Sequence, residues 1–119
     1  MAHVLVVDDD RDIQSVLREA LEQAGHQVSG ATNGLDALDA VRADPPDAVL
    51  LDVAMPGLDG LEFVDAWRSV DPRARTPVIV ISAAPDLSPS FADLGVREHV
   101  TKPFDPYLVV DLLGRQLAS

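Results

Sequence analysis

Three stretches of this chain are apolar at nearly every position: His3-Val-Leu-Val-Val7, Ala48-Val-Leu-Leu51 and Val78-Ile-Val-Ile81. Such a run reads as a strand covered on both faces, the signature of a parallel sheet buried between two layers. Between the runs the period changes. Ile13, Val16, Leu17, Ala20, Leu21 and Ala24 recur at helical spacing, with Asp10 placed to cap the start and Gly25 to close the end. Gln27–Ala31 is a shorter, weaker strand, Asn33-Gly34 a turn signal, and Ala37, Leu38 and Val41 a helical stripe ended by Asp44-Pro45-Pro46. A third helix starts at Gly60, carries Leu61, Phe63, Val64 and Trp67 on its inner face, and stops before Pro72. Trp67 reads as core.

The last third is less regular. Pro85 and Pro89 break up the segment from Ala83 to Gly95, leaving a helical turn or two at Ser90–Leu94. Val96–Thr101 alternates as a half-exposed edge strand does. Asp105 or Pro106 opens a final helix through about Leu117, with Val109, Leu112 and Leu113 on one face. Strand followed by helix, five times over, predicts a parallel five-stranded sheet with helices on both faces. The expected fold is an α/β, flavodoxin-like (βα)5 three-layer sandwich of strand order 2-1-3-4-5. At 119 residues the prior is one domain, spanning 1–119.

Composition narrows the function classes. There is no cysteine, so disulfides and thiolate zinc sites are excluded. No apolar run approaches the roughly 20 residues that cross a bilayer, and the N-terminus lacks a signal-peptide layout. A soluble, cytoplasmic protein with no membrane partner is expected. Twenty acidic residues against nine basic ones give a formal charge of -11. Phosphate backbones repel such a surface, so no direct nucleic-acid contact is expected, and cations or basic protein surfaces suit it better.

The strands end in chemistry. In the expected order, the strands ending at Asp8/Asp9, Asp52, Ser82 and Lys102 are neighbours opening on one edge, where ligands of open α/β sheets bind. Three converging carboxylates repel one another unless a cation intervenes. Carboxylate and water ligands suit Mg2+, which completes its octahedron with water and phosphate. With the Ser82 hydroxyl and the Lys102 ammonium, the parts for holding a phosphoryl group in transfer are present. Asp10 and Asp12 read as helix-start charges, and His3 and His26 as surface residues.

Val7-Asp8-Asp9, Leu51-Asp52-Val-Ala-Met-Pro56-Gly-Leu-Asp-Gly60, Ser82-Ala83 and Lys102-Pro103-Phe104, in that order and each at a strand end, resemble the receiver domain of two-component response regulators over nearly the whole chain. The resemblance implies that Asp52 is the phosphoacceptor, taking a phosphoryl group from a phosphohistidine of a sensor kinase or phosphotransfer protein. It implies Mg2+ held directly by Asp9, Asp52 and the Ala54 backbone carbonyl, with Asp8 acting mainly through water. Ser82 would bind the arriving phosphoryl oxygen and Lys102 would pair with it. The output would be a downstream protein effector or a linked domain, and the chain an acceptor with intrinsic self-phosphorylation and slow self-dephosphorylation rather than an enzyme.

The sequence departs from that pattern in places. His99 stands where relatives carry a tyrosine or phenylalanine that turns inward on activation. A histidine either takes over that switching role or marks a different switch. The span from Ser82 to Lys102 is shorter than usual, which implies a short or displaced fourth helix. Ala54 and Ala84 stand where relatives often have polar side chains that orient the hydrolytic water, so slow hydrolysis is expected. Two other readings exist. Asp8-x-Asp10 after a strand also begins haloacid-dehalogenase-type phosphatases, with Asp8 as nucleophile, although Asp12 replaces the expected Thr or Val. A non-switching binding module that keeps the fold is the other. The chain is expected to be either a stand-alone receiver or a segment of a larger regulator or hybrid kinase.

Overall fold

The computed structural model describes residues 2–53, 60–70, 76–83, 89–96 and 98–118. Five strands, β1 (His3–Val7), β2 (Gln27–Ala31), β3 (Ala48–Asp52), β4 (Val78–Ser82) and β5 (Glu98–Thr101), alternate with α1 (Arg11–Gln23), α2 (Gly34–Ala43), α3 (Gly60–Val70), α4 (Pro89–Asp93) and α5 (Pro106–Ala118). All strand pairs are parallel and the order is β2-β1-β3-β4-β5, as the alternation predicts.

Period-two alternation sorts the strand side chains into two cores. Leu5, Val7, Val49, Leu51, Val78 and Val80 point to one face, against Ala37 and Val41 of α2, Phe63, Val64 and Trp67 of α3, and Phe91 of α4. Val4, Val6, Ala48, Leu50, Ile79 and Ile81 point to the other, against Leu17 and Leu21 of α1 and Val109 and Leu113 of α5. Each fully buried side chain of this kind contributes roughly 1.5–3 kcal/mol, so both layers are anchored on the three central strands. Trp67 is core, with its ring 5.7 Å from that of Phe63 and the Arg68 guanidinium 5.0 Å from its centroid.

Local signals set the helix ends. The Asp10 carboxylate accepts from the amides of Asp12 and Ile13, and Gly25 takes a φ of 92° just beyond α1. Asn33 is more than a turn residue: its side chain accepts from the Asp36 amide and caps α2. The fourth helix is short, as expected, and begins one residue earlier than the periodicity suggests.

Three expectations need correction. Val16, placed on the buried stripe of α1, is 47% exposed, because the helix buries only Leu17, Ala20 and Leu21 fully against the sheet. His3 is no free surface residue: its ring is half-buried, with Nε2 2.7 Å from Ser29 Oγ and Nδ1 3.8 Å from Asp44 Oδ2. His26 Nδ1 accepts from the Ala2 amide. Both imidazoles tie the start of β1 to its neighbours.

Candidate functional site

Strand register assembles the centre. β1 and β3 pair as far as Val7 with Leu51. The next residues along the two strands are Asp8 and Asp52, side by side and on the parity that faces α1 and α5. Asp52 pairs with Ile81 of β4, and Ser82 pairs with Thr101 of β5. Ser82 therefore ends its strand one pair beyond Asp52. Lys102 leaves β5 at the same level, its amide donating to the Ser82 carbonyl at 2.8 Å, and enters a cis peptide bond with Pro103.

The beginning of α3 also fixes Asp52. The Gly60 amide donates to the Val53 carbonyl at 3.1 Å. A Cβ on Gly60 would stand 3.0 Å from the Asp52 carbonyl oxygen and 3.1 Å from Val53 Cα, both backbone atoms. Glycine lets the helix start this close to the strand end without displacing either backbone.

Asp8, Asp9 and Asp52 each offer a carboxylate oxygen, and the three oxygens lie within 4.8 Å of one another. Asp8 and Asp52 are buried and Asp9 is exposed. Lys102 Nζ is 3.5 Å from Asp52 Oδ1 and 4.0 Å from Asp8 Oδ2. Asp8 Oδ1 accepts from the Asp10 amide at 2.9 Å, whereas Asp8 Oδ2 is buried with no hydrogen-bond donor. Burial, chiefly, pushes the Asp8 carboxyl up from 3.8 to about 6. The Asp10 amide opposes that rise, Asp52 adds to it, Lys102 opposes it and Asp9 adds to it. A buried oxygen without a donor, inside a carboxylate cluster of hard donors, fits a divalent cation with water in its shell.

The structure thus brings together Asp8, Asp9, Asp52 and Lys102, with Ser82 on the adjoining strand end. Asp10 and Asp12 stay at the start of α1, as expected of helix-start charges. His99 lies half-buried in β5, paired with Val80. Ala54 and Ala84 lie outside the described residues. Sequence reasoning missed two features. Gln14 reaches from α1 to the ends of β1 and β2, which nothing in the helical period announces. A groove of about 470 Å³, lined by Asp12, Ile13, Val16, Lys102, Phe104 and Pro106 among others, opens beside the cluster. The exposed Val16 is its sequence trace.

Fold and site together define a doubly wound α/β domain with an acidic, cation-ready centre at the carboxyl edge of its sheet. Residues 4–113 match the model of the response regulator receiver domain. The chain belongs to that family. It is 37% identical over 114 residues to sporulation initiation phosphotransferase F of Bacillus subtilis, covering 96% of this chain and 92% of that protein. It is 41% identical over 117 residues to response regulator MprA of Mycolicibacterium vanbaalenii, covering 97% of this chain but only 48% of the relative. Among solved structures, the chemotaxis response regulator CheY4 of Vibrio cholerae superposes with a TM-score of 0.90 at 31% identity, over 97% of this chain and 98% of that one. Receiver domains accept a phosphoryl group in two-component signalling, generally bind Mg2+ at an acidic pocket, and interact with histidine kinases or phosphotransfer proteins. Among the described residues, no helix is long and apolar enough to cross a membrane.

Proposed function

We propose that Asp52 is the phosphoacceptor of this receiver, in a Mg2+-dependent transfer from a phosphohistidine. The observation that carries the reading is the meeting of the Asp8, Asp9 and Asp52 oxygens within 4.8 Å, with Lys102 Nζ 3.5 Å from Asp52. Asp52 attacks phosphorus as a carboxylate, the bond from phosphorus to the donor imidazole breaks with its electrons going to nitrogen, and an acyl phosphate forms. Lys102 holds the oxygen of Asp52 in place and pairs with the phosphoryl group. The Ser82 hydroxyl takes one of its oxygens. Mg2+, when bound, neutralises charge on the equatorial oxygens. Asp9, Asp52 and the Ala54 carbonyl would hold the ion, with Asp8 acting through water. Asp8 suits the nucleophile's role of a dehalogenase-type phosphatase poorly, since it is buried and its Oδ1 is engaged by the Asp10 amide.

The protein partner is a histidine kinase or phosphotransfer protein, and the groove beside Lys102 suits its approach. Ile13, Val16, Phe104 and Pro106 give it an apolar floor that continues to Lys102. Phosphorylation of Asp52 changes the charge there and draws Ser82 and the β4–β5 edge, including His99, into a second arrangement. The output is a protein effector or a linked domain. The charge of -11 argues against direct nucleic-acid contact, and the cytoplasm is the expected site of action. The domain is an acceptor that phosphorylates itself from small donors and loses the group slowly.

The test is incubation with a small acyl-phosphate donor, followed by intact mass. One phosphoryl group should be gained only with Mg2+ present, and none by Asp52→Asn. Labelling that survives Asp52→Asn, or that is indifferent to chelation, overturns the assignment. Steady release of phosphate from esters would favour the phosphatase instead.

A further inference from the structure

Gln14 sits one turn into α1, and its carboxamide leaves the helix. Its Nε2 donates to the Asp8 carbonyl at 2.8 Å and to the Ala31 carbonyl at 2.7 Å. These are the carbonyls at the ends of β1 and β2. Ala31 O already accepts from the Asp8 amide at 3.0 Å. Asp8 is thus held at three atoms: its N–H by Ala31, its carbonyl by Gln14, and its Oδ1 by the Asp10 amide.

The space for the carboxamide exists because residue 30 has no side chain. A Cβ on Gly30 would lie 2.5 Å from Gln14 Oε1 and 3.3 Å from its Cδ. The Gln14 side chain would give way, and with it both of its hydrogen bonds. Gln14 and Gly30 are a matched pair on neighbouring elements.

The Asp8 carbonyl belongs to the peptide plane that leads into Asp9. Rotating that plane swings Asp9, an exposed residue, away from the buried Asp8 and Asp52. We propose that Gln14, seated over Gly30, is a positioning residue that locks the Asp8–Asp9 peptide so that both carboxylates face Asp52 ready for Mg2+. The proposal rests on the metal reading above.

The experiment is a calorimetric Mg2+ titration of the wild type, Gln14→Met, Gly30→Ala and the double variant, all in the absence of phosphodonor. Gln14→Met keeps the length of the side chain and removes the donor. Each single variant should raise the Mg2+ dissociation constant about three- to tenfold, the scale of one or two lost hydrogen bonds. The double variant should be no worse than either single one, because Gly30→Ala acts by evicting the same side chain. Hydrogen exchange in metal-free protein should show faster exchange at the Asp9 and Asp10 amides in both single variants. At saturating Mg2+, the rate of labelling from an acyl-phosphate donor should return to within about twofold of wild type, since Gln14 touches no reacting atom. A Gln14→Met protein that binds Mg2+ as tightly as wild type overturns the proposal, as does a double variant whose loss is the product of the two. If the wild type itself binds no Mg2+, the metal reading fails and this inference with it.

Discussion

Replacing Asp8 by asparagine should stabilise the metal-free domain while weakening its affinity for Mg2+. Asp8 is 1% exposed, and one of its two oxygens has no donor. Its carboxyl rises from 3.8 in the unfolded chain to about 6 in the fold, for which burial is the leading cause. Below about pH 4 the group is protonated in both states and costs nothing. Between the two values the folded domain keeps a proton that the unfolded chain has released, so stability falls as pH rises. Above about pH 6 both states are ionised and the full difference is present. The gap from 3.8 to about 6 corresponds to about 3 kcal/mol at pH 7.5. That is an upper bound, since the exposed Asp9 keeps water near the cluster.

Asparagine keeps the oxygen that accepts from the Asp10 amide, cannot ionise, and offers N–H donors where the unpartnered oxygen stood. In urea denaturation with chelator present, Asp8→Asn should gain up to about 3 kcal/mol at pH 7.5, or about 10 °C in Tm for a domain of this size. The gain should shrink to about a third of that at pH 4.5, where the folded wild type is already protonated. Adding Mg2+ should stabilise the wild type more than the variant, narrowing the gap by mass action. An equal gain at both pH values, or none at pH 7.5, would refute the account of Asp8 as a carboxylate held at a cost for its cation.

Three further outcomes follow from the same geometry. Gly60→Ala should destabilise by about 1–3 kcal/mol in chemical denaturation and slow labelling of Asp52, because its Cβ meets backbone atoms at 3.0 and 3.1 Å. Unchanged stability would mean that α3 can start further from the strand end. Val16→Asp should slow transfer from a histidine-phosphorylated protein at least about tenfold and leave labelling by a small acyl phosphate unchanged, and equal effects on both donors would place the partner elsewhere. With alanine at 54 and 84 no side chain there can orient a water, so the isolated acyl phosphate should persist for minutes or longer. A half-life of seconds, followed by loss of label, would count against that reading.

Much of the architecture was legible because the same residues answered two questions at once. The runs ending at Val7, Leu51 and Ile81 are apolar on both parities, and the fold uses both, one for each helix layer. Asp10 and Gly25 mark α1 because capping and positive φ are local matters. What escaped depends on partners far along the chain. Gln14 on a helix reads as solvated, and only the placement of α1 over the ends of β1 and β2 turns it into a double donor. Val16 fits the apolar stripe, yet the stripe is wider than the sheet it covers, and the surplus becomes the wall of a groove. His3 and His26 lack periodicity of any kind and acquire roles through Ser29, Asp44 and Ala2. The acidic centre lies between these cases. Asp8 and Asp52 break strands that packing alone would have continued with apolar residues, and the burial of Asp8 works against the stability of the metal-free fold. A position where the local choice opposes folding and the strand register sets a second such position beside it marks function, because a cation and a phosphoryl group relieve both conflicts together.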